Sequence, residues 1–327
     1  MELSVTLEQF PMRRPFVING YVWTVCDCVV VTLRRGGNVG RGEAIGVYYR
    51  GETAAILAAQ IAAVKPDIEA GCDRATLQRL LPPGGARCAI DCAMWDLEAA
   101  ETGVPVRDLC GAGPTRPLRT VFTLGIDTPV EMGRAASLCA ATSALKLKLA
   151  GDGLDAARVA AVRAAQPEAW LGVDANQAFD PDSLATAMPA LVDVGVQLVE
   201  QPFPIGKDAW LDGVLRPIPF AADESVQGLA DIAQCLGRYD VVNIKLDKCG
   251  GLTEALEMRD TITRAGLGVM VGNMTGTSLA MAPAFLVGQG CQVVDLDGPL
   301  LLAADRAPGM VYGGGMVDCP AGVWGDG

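Results

Sequence analysis

Histidine is absent from this chain of 327 residues. Histidine is the side chain whose ordinary pKa lies nearest neutrality, so its absence excludes Ser-His-Asp and Cys-His triads, histidine-ligated zinc and histidine general acids. Proton transfer near neutral pH must therefore use lysine, a carboxylate, tyrosine, cysteine or bound water.

Other features are also missing. The 11 cysteines show no paired C-x-x-C spacing, which argues against structural zinc, and we interpret them as buried thiols of a cytoplasmic protein. The first residues lack the apolar core of a signal peptide, and no apolar run reaches the roughly 18 residues of a membrane span. Lys and Arg number 26 against 38 Asp and Glu, and the resulting charge of −12 argues against nucleic acid and anionic membranes as partners.

What is present divides into two regions. The first 50 residues are rich in Val and Thr and predict strands, and residues 53–68 and 86–103 show helical spacing, so residues 1–112 predict an α+β domain. A Pro- and Gly-rich linker follows near residue 113.

From residue 113 to residue 309, apolar strand candidates alternate with helical stretches, which predicts an α/β fold with a parallel (β/α) barrel. A doubly wound sheet is the alternative, although no G-x-G-x-x-G follows an early strand. The eight strand candidates are residues 120–126, 144–150, 169–175, 196–201, 218–223, 241–246, 267–273 and 292–298.

Three acids end successive strand candidates, namely Asp174, Glu200 and Asp223. They are 26 and 23 residues apart, each about one strand-plus-helix unit, so a barrel would gather them at its mouth. Carboxylates that converge would lose their charge without a cation, and hard oxygen ligands favour Mg²⁺. The alternative is that each acid caps the following helix.

Lysines flank the acids on both sides. Lys146 and Lys148 alternate along one strand and share a face, where like charge and burial would lower one pKa and yield a base. Lys245 lies four strands further on, so a carbon between Lys148 and Lys245 could lose a proton on one face and gain one on the other. Exposed strand-end lysines, or a single Schiff-base lysine, are the alternatives.

A pair of acids, Asp295 and Asp297, shares one face at the end of the last strand candidate. Two adjacent carboxylates suit an ammonium group, and a plain Asp-Gly turn is the alternative. The metal and the bases together indicate proton abstraction next to a carboxylate, and a lysine base with Mg²⁺ is the pattern of the enolase superfamily.

These motifs resemble the muconate-lactonising subgroup of that superfamily, and within it the dipeptide epimerases, over nearly the whole chain. AIDCAMWDLEAAETGVPV resembles the last long helix of the capping domain, LKLKL the Lys-x-Lys strand, and VDANQAF, VEQP and ADES the three ligand strands. NIKLDKCGGLTEAL resembles the strand with the opposite base, which maps to Lys245 and not Lys248, and DLDGP the Asp-x-Asp that holds a dipeptide's ammonium group.

The resemblance implies a modified TIM-type barrel at residues 113–309, with a capping domain at residues 1–112 to which residues 310–327 return. Loops near residues 17–24 and 45–53 are expected to cover the mouth.

The implied reaction is Mg²⁺-dependent inversion of the second residue of a dipeptide, of the L-Ala-D/L-Glu type linked to murein peptide recycling. Lys148 and Lys245 would transfer the proton, Lys146 would support the enediolate charge and depress the pKa of Lys148, and Asn176 would be a polar neighbour of the site. We expect a homo-oligomer.

Two departures from the resemblance bear on the site, the first on its substrate and the second on its fine geometry. The segment PFVINGYVWTV lacks the arginine that follows PF in Ala-Glu epimerases; Arg13, Arg14 or Arg50 could replace it, and Tyr21 and Trp23 would suit an apolar or aromatic residue. Gly276 stands where several relatives carry an acid.

The alternative functions are an o-succinylbenzoate synthase or a muconate-type cycloisomerase, and then a non-catalytic binding protein. The synthase and the cycloisomerase share the metal and the lysines with the epimerases, but they do not need a pair of acids for an ammonium group. A binding protein would need neither of the two lysine bases.

Overall fold

The computed structural model describes residues 1–139 and 141–327. The N-terminal domain contains strands β1 (Glu2–Ile18), β2 (Tyr21–Arg35) and β3 (Asn38–Ala44), followed by helices α1 (Ala54–Glu69), α2 (Arg74–Leu80), α3 (Gly85–Thr102) and α4 (Val106–Leu109). The predicted strands and helices of this region are confirmed. Gly36 and Gly37 both have positive φ and join β2 to β3 in a two-residue hairpin, a conformation that favours glycine.

The second region is a parallel sheet of eight strands that lie side by side in chain order. After the short strand β4 (Leu118–Arg119), the strands are β5 (Phe122–Leu124), β6 (Ala144–Lys148), β7 (Trp170–Asp174), β8 (Leu198–Glu200), β9 (Phe220–Ala222), β10 (Val241–Ile244), β11 (Gly268–Val271) and β12 (Val293–Val294). The sheet curls until its ends meet, since the N–H of Val121 beside β5 donates to the carbonyl of Val294 in β12 at 3.0 Å. The predicted barrel is confirmed.

The longer helices that alternate with the strands are α5 (Pro129–Leu138), α6 (Asp155–Ala165), α7 (Pro181–Asp193), α9 (Leu252–Arg264) and α10 (Ser278–Gly288). The short helices α8 (Leu246–Cys249) and α11 (Gly298–Leu301) follow the C-terminal ends of β10 and β12. Two connections between strands, Asp208–Leu211 and Leu229–Cys235, form short 3₁₀ helices and not the α-helices of a regular (β/α) barrel. Among the described residues, no helix combines the length and apolar composition required to cross a bilayer.

The barrel interior is filled in layers. Leu198, Ala221, Val241 and Met270 form an apolar cluster near the N-terminal ends of the strands. Gly172 leaves a space that the ring of Trp170 fills, because a Cβ at Gly172 would lie 2.8 Å from that ring. The lower end of the barrel is therefore packed, and charged side chains appear only in the layers above it.

Helix α3 docks the N-terminal domain onto the barrel. Arg87, Asp91 and Trp95 lie at four-residue spacing on one face, and all three contact the start of α9. The Arg87 guanidinium reaches Cys249 O at 2.6 Å, and a Cβ at Gly250 would lie 2.1 Å from Arg87 Nε. The Gly pair before α9 therefore permits this close approach.

The chain end also contacts the N-terminal domain. Strands β13 (Val311–Gly313) and β14 (Met316–Asp318) form a small sheet with β4, and then the Trp324 indole donates to Arg41 O at 2.9 Å. The N–H of Val106 donates to Gly325 O at 2.8 Å. The domain boundaries given above remain predictions.

Candidate active site

The three acids predicted as metal ligands converge at the C-terminal ends of neighbouring strands. In register, Lys148 of β6 lies beside Asp174 of β7, which lies beside Glu200 of β8, and Asp223 directly follows β9. One carboxylate oxygen from each acid lies within 4.8 Å of the other two, and all three residues are buried. This donor set fits a hard divalent cation, because all three donors are carboxylate oxygens.

The pKa values of these acids also reflect the close approach of several charged groups. Burial raises the pKa of Glu200 to about 7, and the nearby Asp174 carboxylate adds to this effect. Burial would also raise the pKa of Asp223, but the Lys245 and Lys248 ammonium groups hold it well below its usual range. A bound cation would favour the ionised form of every one of these acids.

Lys146 lies beneath the acids and contacts three of them. Its Nζ donates to Glu200 Oε2 at 2.9 Å and to Asp295 Oδ2, and lies 3.7 Å from Asp174. Burial opposes its charge, yet Asp295 and Glu200 raise the pKa of Lys146 well above its usual value. Lys146 is therefore held as a charged ammonium group.

Lys148 and Lys245 lie on opposite sides of the barrel mouth. Lys148 contacts Asp174, and Lys245 Nζ donates to Asp223 Oδ2 at 2.6 Å. Strands β6 and β10 are four apart in the closed sheet of eight, so the two amines face each other across the mouth. Both side chains line the central cavity.

Lys248 is separated from Lys245 by the first turn of α8. Its Nζ donates to the carbonyl of Asp223 at 2.6 Å and to that of Asn243 at 3.1 Å, and the side chain is fully buried. Lys248 therefore fixes the end of β9 against β10, and the cavity is reached by Lys245 alone of these two.

Asp295 and Asp297 line the cavity and follow β12, which lies four strands from β8 in the closed sheet. Asp297 Oδ2 accepts the N–H of Thr123 at 2.6 Å, and burial together with Asp295 raises the pKa of Asp297 to about 7. Within residues 1–139 and 141–327, Asp295 Oδ1 is buried and has no hydrogen-bond partner. An orphaned acceptor beside a second carboxylate fits an ammonium ligand.

Asn176 lines the cavity from the loop after β7. Its backbone has a φ of 40°, its Nδ2 donates to Glu224 Oε1 at 3.1 Å, and its carbonyl accepts the side chain of Asn19 at 3.1 Å. The tip of the β1–β2 hairpin thus touches the loop that follows the first metal-site acid.

Aromatic side chains close the mouth from above. Phe16, Ile18, Trp23 and Tyr48 of the N-terminal domain line the cavity, which has a volume of about 50 Å³.

Two residues predicted to bind substrate lie off the cavity. Tyr21 stacks on Trp23 with ring centroids 5.6 Å apart and meets Tyr48 edge-on at 4.4 Å, so it lies behind the lining residues. The Arg50 guanidinium turns away, where it donates to Pro83 O at 2.9 Å. Neither side chain is among those that line the cavity.

Gly276 has a steric explanation. Its φ is +122°, and a Cβ there would lie 2.7 Å from Ile45 Cδ1 and 3.3 Å from Glu43 Oε1. An acidic side chain at this position would be strained and would meet the buried Glu43 carboxylate, which already accepts the N–H of Thr277 at 2.8 Å.

The sequence interpretation missed Asn243, Glu224 and Tyr48. Asn243 Nδ2 donates to Glu200 Oε1 at 2.6 Å, and its position two residues before Lys245 was a usable signal, because alternate strand residues share a face. No comparable signal marked Tyr48, which approaches the cavity through the fold of the N-terminal domain.

Comparisons with known proteins show the family of the chain. Residues 1–111 match the family described as mandelate racemase / muconate lactonizing enzyme, N-terminal domain, and residues 131–320 match the family described as enolase C-terminal domain-like. The chain is 39% identical over 312 residues to the L-Ala-D/L-Glu epimerase of Escherichia coli strain K12, covering 95% of this chain and 97% of that protein.

Two solved structures are similar throughout. An enolase family member from Agrobacterium tumefaciens, with homology to dipeptide epimerases and with bound sodium and L-Ala-L-Glu, is 42% identical with a TM-score of 0.96 and 99% coverage of both chains. The dipeptide epimerase of Enterococcus faecalis, complexed with Mg and L-Leu-L-Tyr, is 28% identical with a TM-score of 0.89 and covers 99% of this chain and 98% of its own.

Proposed function

Because the chain belongs to the mandelate racemase / muconate lactonizing enzyme family of the enolase superfamily, we propose that it is a Mg²⁺-dependent dipeptide epimerase that inverts the C-terminal residue. The reaction is of the L-Ala-D/L-Glu type, a 1,1-proton transfer at the α-carbon next to the free carboxylate.

One observation carries the proposal, namely two amines on opposite sides of a three-carboxylate cluster. Lys148 contacts Asp174 on one side of the cavity, and Lys245 contacts Asp223 on the other. Inversion of a stereocentre needs a base on one face and an acid on the opposite face, and simple ligand binding needs neither.

Asp174, Glu200 and Asp223 are the residues that would hold Mg²⁺. When bound, the cation supplies positive charge that stabilises the negative charge developing on the substrate carboxylate. Lys146 adds a fixed ammonium group beneath the same region, because its contacts with Glu200 and Asp295 keep it charged.

The proton transfer itself belongs to the two outer lysines. In one direction the neutral amine of Lys148 takes the α-proton, and the ammonium group of Lys245 returns a proton to the opposite face of the carbon. In the other direction their roles exchange. The net change is inversion with no proton gained or lost, and each lysine acts on a single epimer.

Asp295 and Asp297 are proposed to bind the ammonium group of the dipeptide. The unpartnered Oδ1 of Asp295 supports this role, and the Thr123 N–H fixes Asp297 in place. The metal site and this pair lie on opposite sides of the line between the lysines, so they would hold the two ends of the substrate.

The test is exchange of the α-proton in D₂O with Mg²⁺ and L-Ala-L-Glu as a first substrate, read by mass spectrometry and chiral chromatography. The native enzyme should give inverted, deuterated product, and chelation of the metal should stop it. Lys148→Met and Lys245→Met should each lower inversion by at least about 10²–10⁴-fold.

Each variant should still exchange the proton of one epimer, and the two variants should act on opposite epimers. Lys65→Met, at an exposed lysine of α1, serves as the control and should keep full activity. Inversion retained in either active-site variant, or exchange of the same epimer by both, would contradict the two-base scheme.

The cellular setting is also proposed. From the resemblance of its motifs to the dipeptide epimerases, we infer that the protein takes part in murein peptide recycling, in the cytoplasm and as a homo-oligomer. Accumulation of murein-derived dipeptides after deletion of the gene would support this setting.

A further inference from the structure

We infer that the side chain of the inverted residue faces an aromatic wall, and that the enzyme therefore prefers an uncharged apolar or aromatic second residue to glutamate. This inference rests on the proposed epimerisation and names its substrate class. The wall consists of Phe16, Trp23 and Tyr48, which line the cavity beside Ile18.

The direction of the side chain follows from the positions of the two lysines. Loss of the α-proton makes the α-carbon planar, and its plane lies perpendicular to the line between Lys148 and Lys245. Because these lysines face each other across the barrel, that plane contains the barrel axis. The three remaining substituents of the α-carbon must lie in this plane.

Two of the three substituents are assigned by charge. The carboxylate points to the strands that hold the three metal-site acids, β7 to β9. The amide nitrogen leads to the first residue, whose ammonium group faces Asp295 and Asp297 on the other side. The side chain must then point along the axis, either into the barrel or out through the mouth.

The inward direction is closed. Beneath the cavity, Lys146 and Asn243 both donate to the buried Glu200 carboxylate, and the apolar layer with Leu198 and Met270 fills the space below. The side chain therefore points outward, toward the aromatic wall.

The wall is a packed aromatic cluster. Trp23 meets Tyr48 edge-on at 5.0 Å and lies 6.2 Å from Phe16, while Tyr21 supports both Trp23 and Tyr48 from behind. Aromatic surfaces of this kind bind apolar and aromatic groups well, and the negative faces of their rings repel an anion.

No cation is available there for a side-chain carboxylate. Among the described residues, the cations lining the cavity are the lysines Lys146, Lys148 and Lys245, and each of them contacts an acid of the metal site. A glutamate side chain would thus lose its hydration without gaining a partner.

Three arginines of the N-terminal domain do not line the central cavity. Arg50 donates to Pro83 O, and Arg13 donates to Leu302 O at 3.4 Å. Arg13 and Arg14 line a separate cavity of about 330 Å³, which shares the wall residue Phe16 with the central one.

The first test compares native enzyme on L-Ala-L-Met, L-Ala-L-Gln and L-Ala-L-Glu, whose second side chains have similar length and differ in polarity and charge. We expect kcat/KM to fall in that order, with L-Ala-L-Met at least about 10-fold above L-Ala-L-Glu, a difference of about 1.4 kcal/mol. L-Ala-L-Phe should also exceed L-Ala-L-Glu.

The second test places a cation in the wall. Trp23→Arg should raise kcat/KM for L-Ala-L-Glu relative to L-Ala-L-Met by at least about 10-fold. Val22→Arg adds the same charge to the same hairpin at a residue that is 63% exposed and does not line the cavity, and its ratio should match that of native enzyme.

The outcomes separate this inference from the proposed function. If no dipeptide exchanges its α-proton, the epimerase function fails. If dipeptides are inverted and L-Ala-L-Glu is the best of the panel, the epimerase stands and the aromatic-wall inference is overturned. Because the panel uses native enzyme, this decision does not depend on the folding of a variant.

Discussion

At the residue scale, the role of each lysine and acid depends on its hydrogen-bond partners and on whether its side chain lines the cavity. Lys248 is occupied by contacts within the barrel and does not reach the cavity, whereas Lys146, Lys148 and Lys245 line it, and Lys146 donates to both Glu200 and Asp295. Two acids of the described residues, Asp295 and Asp297, line this cavity, and Asp295 has a buried oxygen without a hydrogen-bond partner. These differences assign distinct roles to chemically identical side chains.

Asp297→Asn tests the ammonium role. The amide oxygen can still accept the Thr123 N–H, so the fold should be kept while the negative charge is lost. A hydrogen bond to a charged group contributes about 1.5–3 kcal/mol, so we expect KM for a free dipeptide to rise roughly 10- to 150-fold. Steady-state kinetics on free and N-acetylated dipeptides measures this. An equal loss on both substrates would remove the ammonium role.

At the element scale, strand β3 packs on helix α3 with almost no side chain between them. A Cβ at Gly40 would lie 2.2 Å from Ala93 O, and a Cβ at Gly42 would lie 2.1 Å from Ala89 O. Two residues along a strand face the same side, as do four residues along a helix, so both glycines meet successive turns of α3. This close packing sets the height of the N-terminal sheet above the helix.

Gly42→Ala should destabilise the protein by about 1–3 kcal/mol or more, because the new methyl group meets helix backbone that cannot rotate away. Gly313→Ala is the matched control, since Gly313 also lies in a strand and a Cβ there meets nothing within 4 Å. Urea unfolding followed by circular dichroism measures both. Equal stability of the two variants would show that β3 and α3 can move apart at little cost.

At the scale of the whole molecule, the active site is shared between two regions. Asp247, just after Lys245, accepts the N–H groups of Ile45 and Gly46 through one oxygen at 2.8 and 2.9 Å. Glu43 likewise accepts from Thr277 and Arg306 across the same boundary. These contacts hold the loop that carries Tyr48 at the mouth of the barrel.

The raised pKa of Asp247 leads us to expect that stability depends on pH. Burial raises the pKa of Asp247 from near 3.8 to about 6, so between these values the folded state binds more protons than the unfolded state. Through this group, the free energy of unfolding falls as the pH rises from about 4 to about 6. Above that range the destabilisation caused by the ionised Asp247 is fully present.

Asp247→Asn keeps the accepting oxygen and removes the ionisation. We expect the variant to equal the native protein near pH 4 and to be more stable by about 1–3 kcal/mol at pH 8, a shift of one pKa unit being about 1.4 kcal/mol. Unfolding at several pH values gives the difference. A difference that does not change with pH would show that Asp247 does not titrate in this range.

Much of the fold and site could be predicted from local patterns. Alternation in LKLKL places Lys146 and Lys148 on one face, and the apolar runs that end in Asp174, Glu200 and Asp223 mark successive strands. The direction of Arg50, by contrast, depends on Pro83 O, 33 residues away, and could not be read from its neighbours.

The sequence by itself determined the order of strands, the residues at their ends and the absence of histidine, because strand periodicity and side-chain chemistry are local properties. Only the tertiary structure decided that Lys248 is buried against Asp223 and Asn243 and that an aromatic wall closes the mouth. These features arise from closure of the barrel and docking of the N-terminal domain, which join residues more than 100 positions apart through packing that no short window of sequence contains.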